Sequence, residues 1–223
     1  MANATTREEA ASEFADDAAR LTAADVGTIP LTAAEDDMAA RLLARAFHAD
    51  PMFVYLTPDE PSRGERAQPF FAAGIRYCRR YGVAEMTASR DAAAAWLRPG
   101  FTTMTMGRML RTGMLLAPRK FGFSGMGRFI ALTSYADKLH KQAISGEHWY
   151  LLCVGVEPAR QGAGLGGRLL SAGLRRADAD GLPCYLETVN PDNLPFYRRH
   201  GFEVAADGQL PKDGLHVWAM VRR

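Results

Sequence analysis

The sequence predicts an α/β (α+β) domain built on a mixed sheet, and three features carry that reading. The apolar run WYLLCVGV (Trp149–Val156) leads through RQGAGLGG (Arg160–Gly167) into a helical stripe of Leu165, Leu169, Leu170, Leu174 and Ala177. After the stop at Gly181-Leu182-Pro183, the apolar run CYLET (Cys184–Thr188) makes this a strand–glycine loop–helix–strand unit. VAEMTA (83–88) and AAAAWLRP (92–99), joined by Ser89-Arg90-Asp91, read as a hairpin. The chain ends on a strand beginning at Gly201-Phe202-Glu203-Val204 and on HVWAMV (His216–Val221), an antiparallel-looking pair.

The other elements follow in order. Residues 1–25 are rich in Ala, Glu and Asp with few large apolar groups, so they read as an acidic appendage to a single domain spanning 26–223. VGTIPLT (26–32) is a first strand. Thr32 and Glu35 form a capping box before the stripe of Met38, Leu42, Leu43, Ala46 and Phe47, a helix that stops before Asp50-Pro51. A second capping box, Ser62 to Glu65, opens a helix with Phe71, Ile75 and Cys78 on one face, closing at Tyr81-Gly82. The stretch 101–146 reads as an inserted pair of helices with mobile joints. It holds five of the ten methionines and seven Lys or Arg against the single acid Asp137. Between 104 and 141 this composition fits a pair with Met inside and solvated cations outside, or an adaptable wall of a ligand site, since methionine repacks around varied apolar groups. A short helix from Asn193 to His200 precedes the terminal strand pair.

Composition narrows the function. At 223 residues, 48% hydrophobic and 23% charged, the chain has the make-up of an ordinary globular protein, long enough to fill one core. The net charge of +2 gives no warrant for a nucleic-acid partner. Residues 1–28 carry six acids against two arginines, a balance of −4, which leaves +6 on the remainder as a mild attraction for an anionic ligand. Cys78, Cys153 and Cys184 are odd in number and sit among apolar residues, which points to free thiols in a reducing compartment. No run approaches the length of a bilayer span and the first residues are polar, so the expectation is a cytoplasmic protein without a membrane partner. No Cys/His grouping has metal-ligand spacing, and no metal is expected.

The glycine loop fits two templates. Gly162, Gly164 and Gly167 satisfy the dinucleotide fingerprint, with Glu187 twenty residues further on as a ribose-binding acid. Gln161, Gly164 and Gly166 satisfy the pyrophosphate loop Q/R-x-x-G-x-G/A of acyl-CoA-dependent N-acetyltransferases. Both rest on free N–H groups at a helix N-terminus, where glycine lets the backbone approach phosphate oxygens. Position separates them. A doubly wound dinucleotide domain needs several further parallel strands, and only about 55 residues follow Gly167.

Val156-Glu157-Pro158 with Gln161-x-x-Gly164-x-Gly166, followed by Asn193, Phe196-Tyr197 and Gly201-Phe202, resembles the paired motifs of the Gcn5-related N-acetyltransferase (GNAT) superfamily. Within it, VGVEPARQGAGLG and YLETVNPDNLPFYRRHGFEV are similar to the puromycin N-acetyltransferase-like members. The resemblance covers about 147–222, is faint over 26–100 and is absent over 1–25. It implies a GNAT fold: a mixed central sheet of about six to seven strands, splayed between the acetyl-CoA strand and its neighbour and flanked by helices. It also implies acetyl-CoA as co-substrate, a small-molecule amine as acceptor, aminonucleoside- or antibiotic-like molecules among the candidates, and a monomer or homodimer. The pantetheine would lie along Cys153, Val154 and Val156, and the pyrophosphate on Gln161, Gly162, Ala163, Gly164, Leu165, Gly166 and Gly167, with Asn193 touching the CoA.

The same resemblance makes Tyr197 the general acid to the CoA sulfur, a role that suits a phenol protonated at neutral pH. Glu187 would act near the acceptor, as a base through water or as an anchor for the ammonium; burial near the sheet end would raise its pKa. Asn193 is also placed to cap the short helix. His148 and Trp149, which precede the strand, are candidates for the acceptor pocket, and Cys153 reads as a buried structural thiol. Two alternatives stand beside the enzyme: a catalytically silent acyl-CoA-binding or sensing module, and a peptide or protein N-acetyltransferase with an open groove.

Overall fold

The computed structural model describes residues 27–211 and 214–223, so the reading of 1–25 as an appendage lies outside the described residues. In chain order the elements are β1 (Thr28–Pro30), α1 (Asp36–Ala46), α2 (Pro51–Leu56), α3 (Glu60–Tyr81), β2 (Gly82–Thr87), β3 (Ala92–Leu97), α4 (Met106–Thr112), α5 (Gly122–Ala143), β4 (Trp149–Val156), α6 (Leu165–Asp180), β5 (Cys184–Thr188), α7 (Leu194–Arg199), β6 (Glu203–Gln209) and β7 (His216–Arg222). The strands form one mixed sheet in the order β1-β2-β3-β4-β5-β7-β6. The β4–β5 pair is parallel and the other pairs are antiparallel.

Strand β3, AAAAWL, shows why the sheet carries helices on both faces. All six of its residues are buried. Ala93, Ala95 and Leu97 join the core under α1 and α3, while Ala92, Ala94 and Trp96 join the core under α6. Its small side chains let the helices approach the backbone. A third apolar cluster, with Leu132 and Leu139 of α5 against Tyr185, Val217, Ala219 and Val221, covers the β5–β7 half of the α1/α3 face. Helix α6 is tied to the far half of the sheet by the Arg176–Glu85 pair, bidentate at 2.9 and 2.6 Å, with Glu85 buried.

Three local expectations are corrected. Asp50-Pro51 stops one helix and starts another: the Asp50 carboxylate accepts from the Met52 N–H (2.9 Å) as N-cap of α2, and Pro51 occupies the first turn, where a missing N–H costs nothing. Ser62 is no cap, because α3 begins two residues earlier on Asp59 and Pro61, and the Ser62 hydroxyl turns to the Asp59 carbonyl. The capping box at Thr32 and Glu35 does form, with the Thr32 N–H donating to the Glu35 carboxylate (3.0 Å). The insertion at 101–146 is dominated by one helix, the 22-residue α5, with short α4 and a 3-10 turn before it.

Glycines on two helices face opposite constraints. A Cβ on Gly173 of α6 would lie 2.2 Å from the Trp96 ring, whereas one on Gly127 of α5 would meet nothing within 4 Å. Gly173→Ala is expected to destabilise the fold by about 1–3 kcal/mol through overpacking. Gly127→Ala should stabilise it by about 0.5–1 kcal/mol, the helix-propensity difference. Urea denaturation of the two variants checks both signs.

Candidate active site

Strands β4 and β5 pair through Trp149 with Cys184 and Tyr150 with Tyr185, and then separate. Beyond Tyr150, β4 keeps β3 on one side and has no strand on the other. Leu152 is an extra residue between the Leu151–Trp96 and Cys153–Ala95 pairs, a β-bulge. Because of it, Leu152 and Cys153 both pack toward α1 and α3, while Leu151 and Val154 pack toward α6. Val156 lies on the α6 side, against the first turn of that helix: a Cβ on Gly166 would stand 3.4 Å from Val156 and 3.6 Å from Phe196.

The end of β4 runs through a 3-10 turn (158–160) into the glycine loop. Gly162 and Gly164 have φ of +80° and +77°, and Gly164 is the N-cap of α6. The Arg168 N–H makes the first intrahelical bond, to the Gly164 carbonyl (3.1 Å), so the N–H groups of Leu165, Gly166 and Gly167 have no partner within the helix. Open space lies where Gly162 and Gly164 would carry a Cβ, and Ala163 sits exposed between them. Unpaired N–H groups, the positive helix end and unobstructed backbone fit a pyrophosphate. The Gln161 side chain donates to the Val156 carbonyl (3.3 Å), holding the loop on the strand end. Arg45 does the same from α1 by a bidentate pair with Glu157, both bonds 2.8 Å.

Tyr197 of α7 is buried, 8% exposed. Burial first, then the Asp50 carboxylate and the Cys153 thiol, hold its pKa well above the usual phenol value. The phenol is therefore protonated at neutral pH. Asp50 lies at the corner between α1 and α2, which packs on β4 through Phe47. The Phe47 ring would stand 3.1 Å from a Cβ on Gly155, and the Asp50 N–H bonds the Phe47 carbonyl (3.0 Å).

Glu187 of β5 lies on the other side of the gap. Tyr150 donates to one carboxylate oxygen (2.6 Å) and Tyr185 to the other (2.9 Å). Burial, aided by Asp137, pushes its pKa up to about 7 against those two hydrogen bonds, which favour the anion. Behind Tyr185 stands His140 of α5, its ring stacked on the tyrosine at 3.9 Å between centroids. Its Nε2 is 2.8 Å from Nε2 of His148, whose Nδ1 is 2.9 Å from the Gly146 carbonyl. A carbonyl only accepts, so His148 carries its proton on Nδ1 and accepts at Nε2 from His140. Burial, with His148 beside it, lowers the His140 pKa to about 4, and the pair is neutral at physiological pH.

The remaining sequence-derived candidates fall as follows. Trp149 does not face the acceptor side: its indole lies in the core under α6 and donates to Asp180 (2.8 Å), at the paired end of the strands. His148 is buried against His140 and Tyr185 and reaches no oxygen of Glu187. Asn193 takes the N-cap position of α7 without capping it; its amide turns to the Thr188 hydroxyl (3.4 Å), and Asn190 caps the preceding turn. Cys153 is a quiet thiol, burial pushing its pKa up to about 12. Asp50, His140, Tyr150 and Tyr185 went unread in the sequence, although Asp before Pro at a helix start is a signal that could have pointed to Asp50. A hollow of about 720 Å³ between Lys141, Ser145, Asp178 and Pro183 lies at the paired end of β4 and β5, away from Tyr197 and Glu187.

The sheet parts beside a bulged strand, and a glycine-capped helix stands at that strand's end. Residues 121–202 match the acetyltransferase (GNAT) family model. The chain is 28% identical over 187 residues to an uncharacterised N-acetyltransferase of Schizosaccharomyces pombe, covering 80% of this chain and 75% of the relative. Of two other curated relatives it spans only 30% and 21% of the length. Its fold is similar to a solved structure from Corynebacterium glutamicum described as histone acetyltransferase HPA2 and related acetyltransferase, with a TM-score of 0.60, 21% identity, and 87% and 94% of the two chains covered. It is similar also to the polyamine N-acetyltransferase of Drosophila melanogaster, which forms N-acetylagmatine, with a TM-score of 0.59, 17% identity, and 87% and 97% covered. Members of the family use acetyl-CoA. Among the described residues no helix is long and apolar enough to cross a membrane.

The raised pKa of Glu187 has a consequence for stability. The unfolded carboxyl releases its proton near 4.5 and the folded one near 7, so between these values the folded state binds more protons and its stability falls as pH rises. Glu187→Gln should lack that component. Its stability relative to the parent is expected to increase between pH 5 and pH 7.5 in urea titrations.

Proposed function

We propose that the protein transfers the acetyl group of acetyl-CoA to the amine of a small molecule by direct attack on the thioester. The observation that carries this is the pair of proton-bearing groups flanking the gap beside β4: a buried, protonated phenol at Tyr197 and a carboxyl of near-neutral pKa at Glu187, held by Tyr150 and Tyr185. Acetyl-CoA supplies the activated acyl carbon, its pyrophosphate held by Gln161 to Gly167 and its pantetheine by the open edge of β4 at Cys153, Val154 and Val156. An ammonium of ordinary pKa must lose a proton before it can attack. Glu187 takes it, the N–C bond forms as the C–S bond breaks, Tyr197 gives a proton to the leaving sulfur, and the second proton lost by the nitrogen restores the Tyr197 phenol.

A silent acyl-CoA-binding module would need neither group. Helix α5, packed across β6 and β7 on the face where Tyr185 and Glu187 lie, favours a closed small-molecule site over the open groove of a peptide acetyltransferase. An aminonucleoside acceptor, suggested by the likeness to the puromycin N-acetyltransferase group, belongs in the first screen.

Two measurements test the reading. Acetyl-CoA at about 100 times its Kd should stabilise the fold by about 2.7 kcal/mol, NADH at the same concentration by nothing, and Gly164→Val should lose the acetyl-CoA effect, because φ of +77° is closed to valine. Stabilisation by NADH alone would contradict the assignment of the loop. In the second, CoA release is followed with a panel of amines. Tyr197→Phe should bind acetyl-CoA normally and slow kcat roughly 10²- to 10⁴-fold, the worth of a positioned general acid.

A further inference from the structure

We infer that the outer face of the inserted helices is a docking surface for an anionic membrane, on which the protein lies without spanning it. Residues 101–136 contain Arg108, Arg111, Arg119, Lys120 and Arg128 and no acid, so they carry +5 of the +6 that falls on residues 29–223. The exposed large apolar side chains gather in the same stretch. Of six among the described residues, Met106, Leu110, Leu116, Phe123 and Ile130 lie here and only Val54 lies elsewhere. Single exposed apolar groups are ordinary, but a cluster rimmed by charge marks a contact surface. Phe123 is fully exposed.

Backbone bonds set these residues on one side of one layer. Met106 and Leu110 are four apart on α4, and Phe123 and Ile130 seven apart on α5, so each pair shares a helix face. Between the helices the chain folds back: the Leu115 N–H bonds the Met109 carbonyl (3.3 Å), and those of Leu116 and Ala117 bond the Gly113 carbonyl (3.2 and 3.1 Å). The layer is fastened to α3 at two points. Arg76 donates to the Thr112 carbonyl (3.2 Å) and Arg66 to that of Phe121 (3.5 Å). Ten residues of helix separate the two arginines, about 15 Å. Thr112, Met114, Ala117 and Phe121 are buried on the α3 side, which leaves Leu110, Leu116 and Phe123 on the outer one.

The cations of this face are free. Arg111, Arg119 and Lys120 are exposed and enter no ion pair among the described residues. Arg108, over the rings of Phe101 and Tyr81, and Arg128, bonded to the Leu56 carbonyl, hold the layer in place. Unpaired cations beside protruding apolar side chains match an anionic headgroup layer, where the cations meet phosphate and the apolar groups reach the acyl boundary. A second copy fits poorly, because two-fold symmetry would set this face against itself and bring like charges together. The expectation of no membrane partner rested on the lack of a spanning run, and surface docking needs none.

Co-sedimentation of the full chain with vesicles tests the inference. Vesicles of equal parts phosphatidylglycerol and phosphatidylcholine should carry the protein down at about 0.1 M salt and release it at about 0.5 M, where screening is stronger. Pure phosphatidylcholine should leave it in solution. Phe123→Ser is expected to lower the partition coefficient roughly tenfold, and Arg119→Gln with Lys120→Gln roughly 10- to 30-fold. Arg41→Gln, at an exposed cation of α1, should stay within about twofold of the parent. Unchanged urea midpoints verify that the variants fold. Equal sedimentation with neutral vesicles, none with either kind, or an equal loss in Arg41→Gln overturns the inference. So does a doubling of mass in sedimentation velocity that Phe123→Ser abolishes, which would give the face to a second copy.

Discussion

Beyond Tyr150 the backbone of β4 has no strand on its β5 side, and the positions of Tyr197 and Glu187 follow from that gap. Two residue pairs hold the strands in register at one end. The Leu152 bulge then redirects the side chains of β4 while β3 keeps the strand inside the sheet. An unpaired strand edge in a buried position is unfavourable unless something supplies hydrogen bonds. An extended amide chain is the partner whose spacing matches. The same separation leaves room for α7 to bring Tyr197 in on the α6 face of the sheet, while Glu187 lies on the α5 face with Tyr185.

The electrostatics of the gap depend on which groups stay neutral. His140 and His148 share one hydrogen bond with a fixed direction and add no positive charge at neutral pH. Tyr150 and Tyr185 spend their hydroxyl protons on Glu187 and so hold its two oxygens in place. A basic residue at the position of either histidine would bias Glu187 toward the anion and weaken it as a proton acceptor near pH 7. The histidine pair therefore fills space behind Tyr185, at the junction of α5 with the sheet, without altering the sign of the field.

Where local chemistry and tertiary packing agree, the sequence was legible. The unit 149–188 was readable because its apolar runs and helical stripe each have one structural interpretation and both templates for its glycines demand the same strand–loop–helix, and the helix bounds Leu165 and Asp180 fall where the stripe and Gly181 put them. Asp50-Pro51 was ambiguous, since the pair that ends one helix is equally a cap and first turn for the next. Trp149 faces away from the acceptor because Asp180, 31 residues on, bonds its indole nitrogen, a contact no local pattern encodes. Asn193 had the right residue type for a cap, and Thr188 competed for its amide. In 122–143 three glycines, Gly122, Gly125 and Gly127, blurred the period, and the helix is defined by its packing on β5, β6 and β7. Tyr150 and Tyr185 looked like alternating strand residues, and only the register of β4 against β5 brings both to Glu187.

The three cysteines, last considered as packing groups, also determine what the protein looks like to an electrophile. None forms a disulfide; Cys78 and Cys184 are buried, and burial raises the pKa of all three thiols, to about 12 for Cys153 and Cys184. Reactivity follows the thiolate fraction and exposure, so the folded chain is nearly inert to disulfide reagents and maleimides at neutral pH. Met106, 65% exposed, is by contrast open to oxidants, so oxidation would mark the polypeptide at a thioether before any of its thiols.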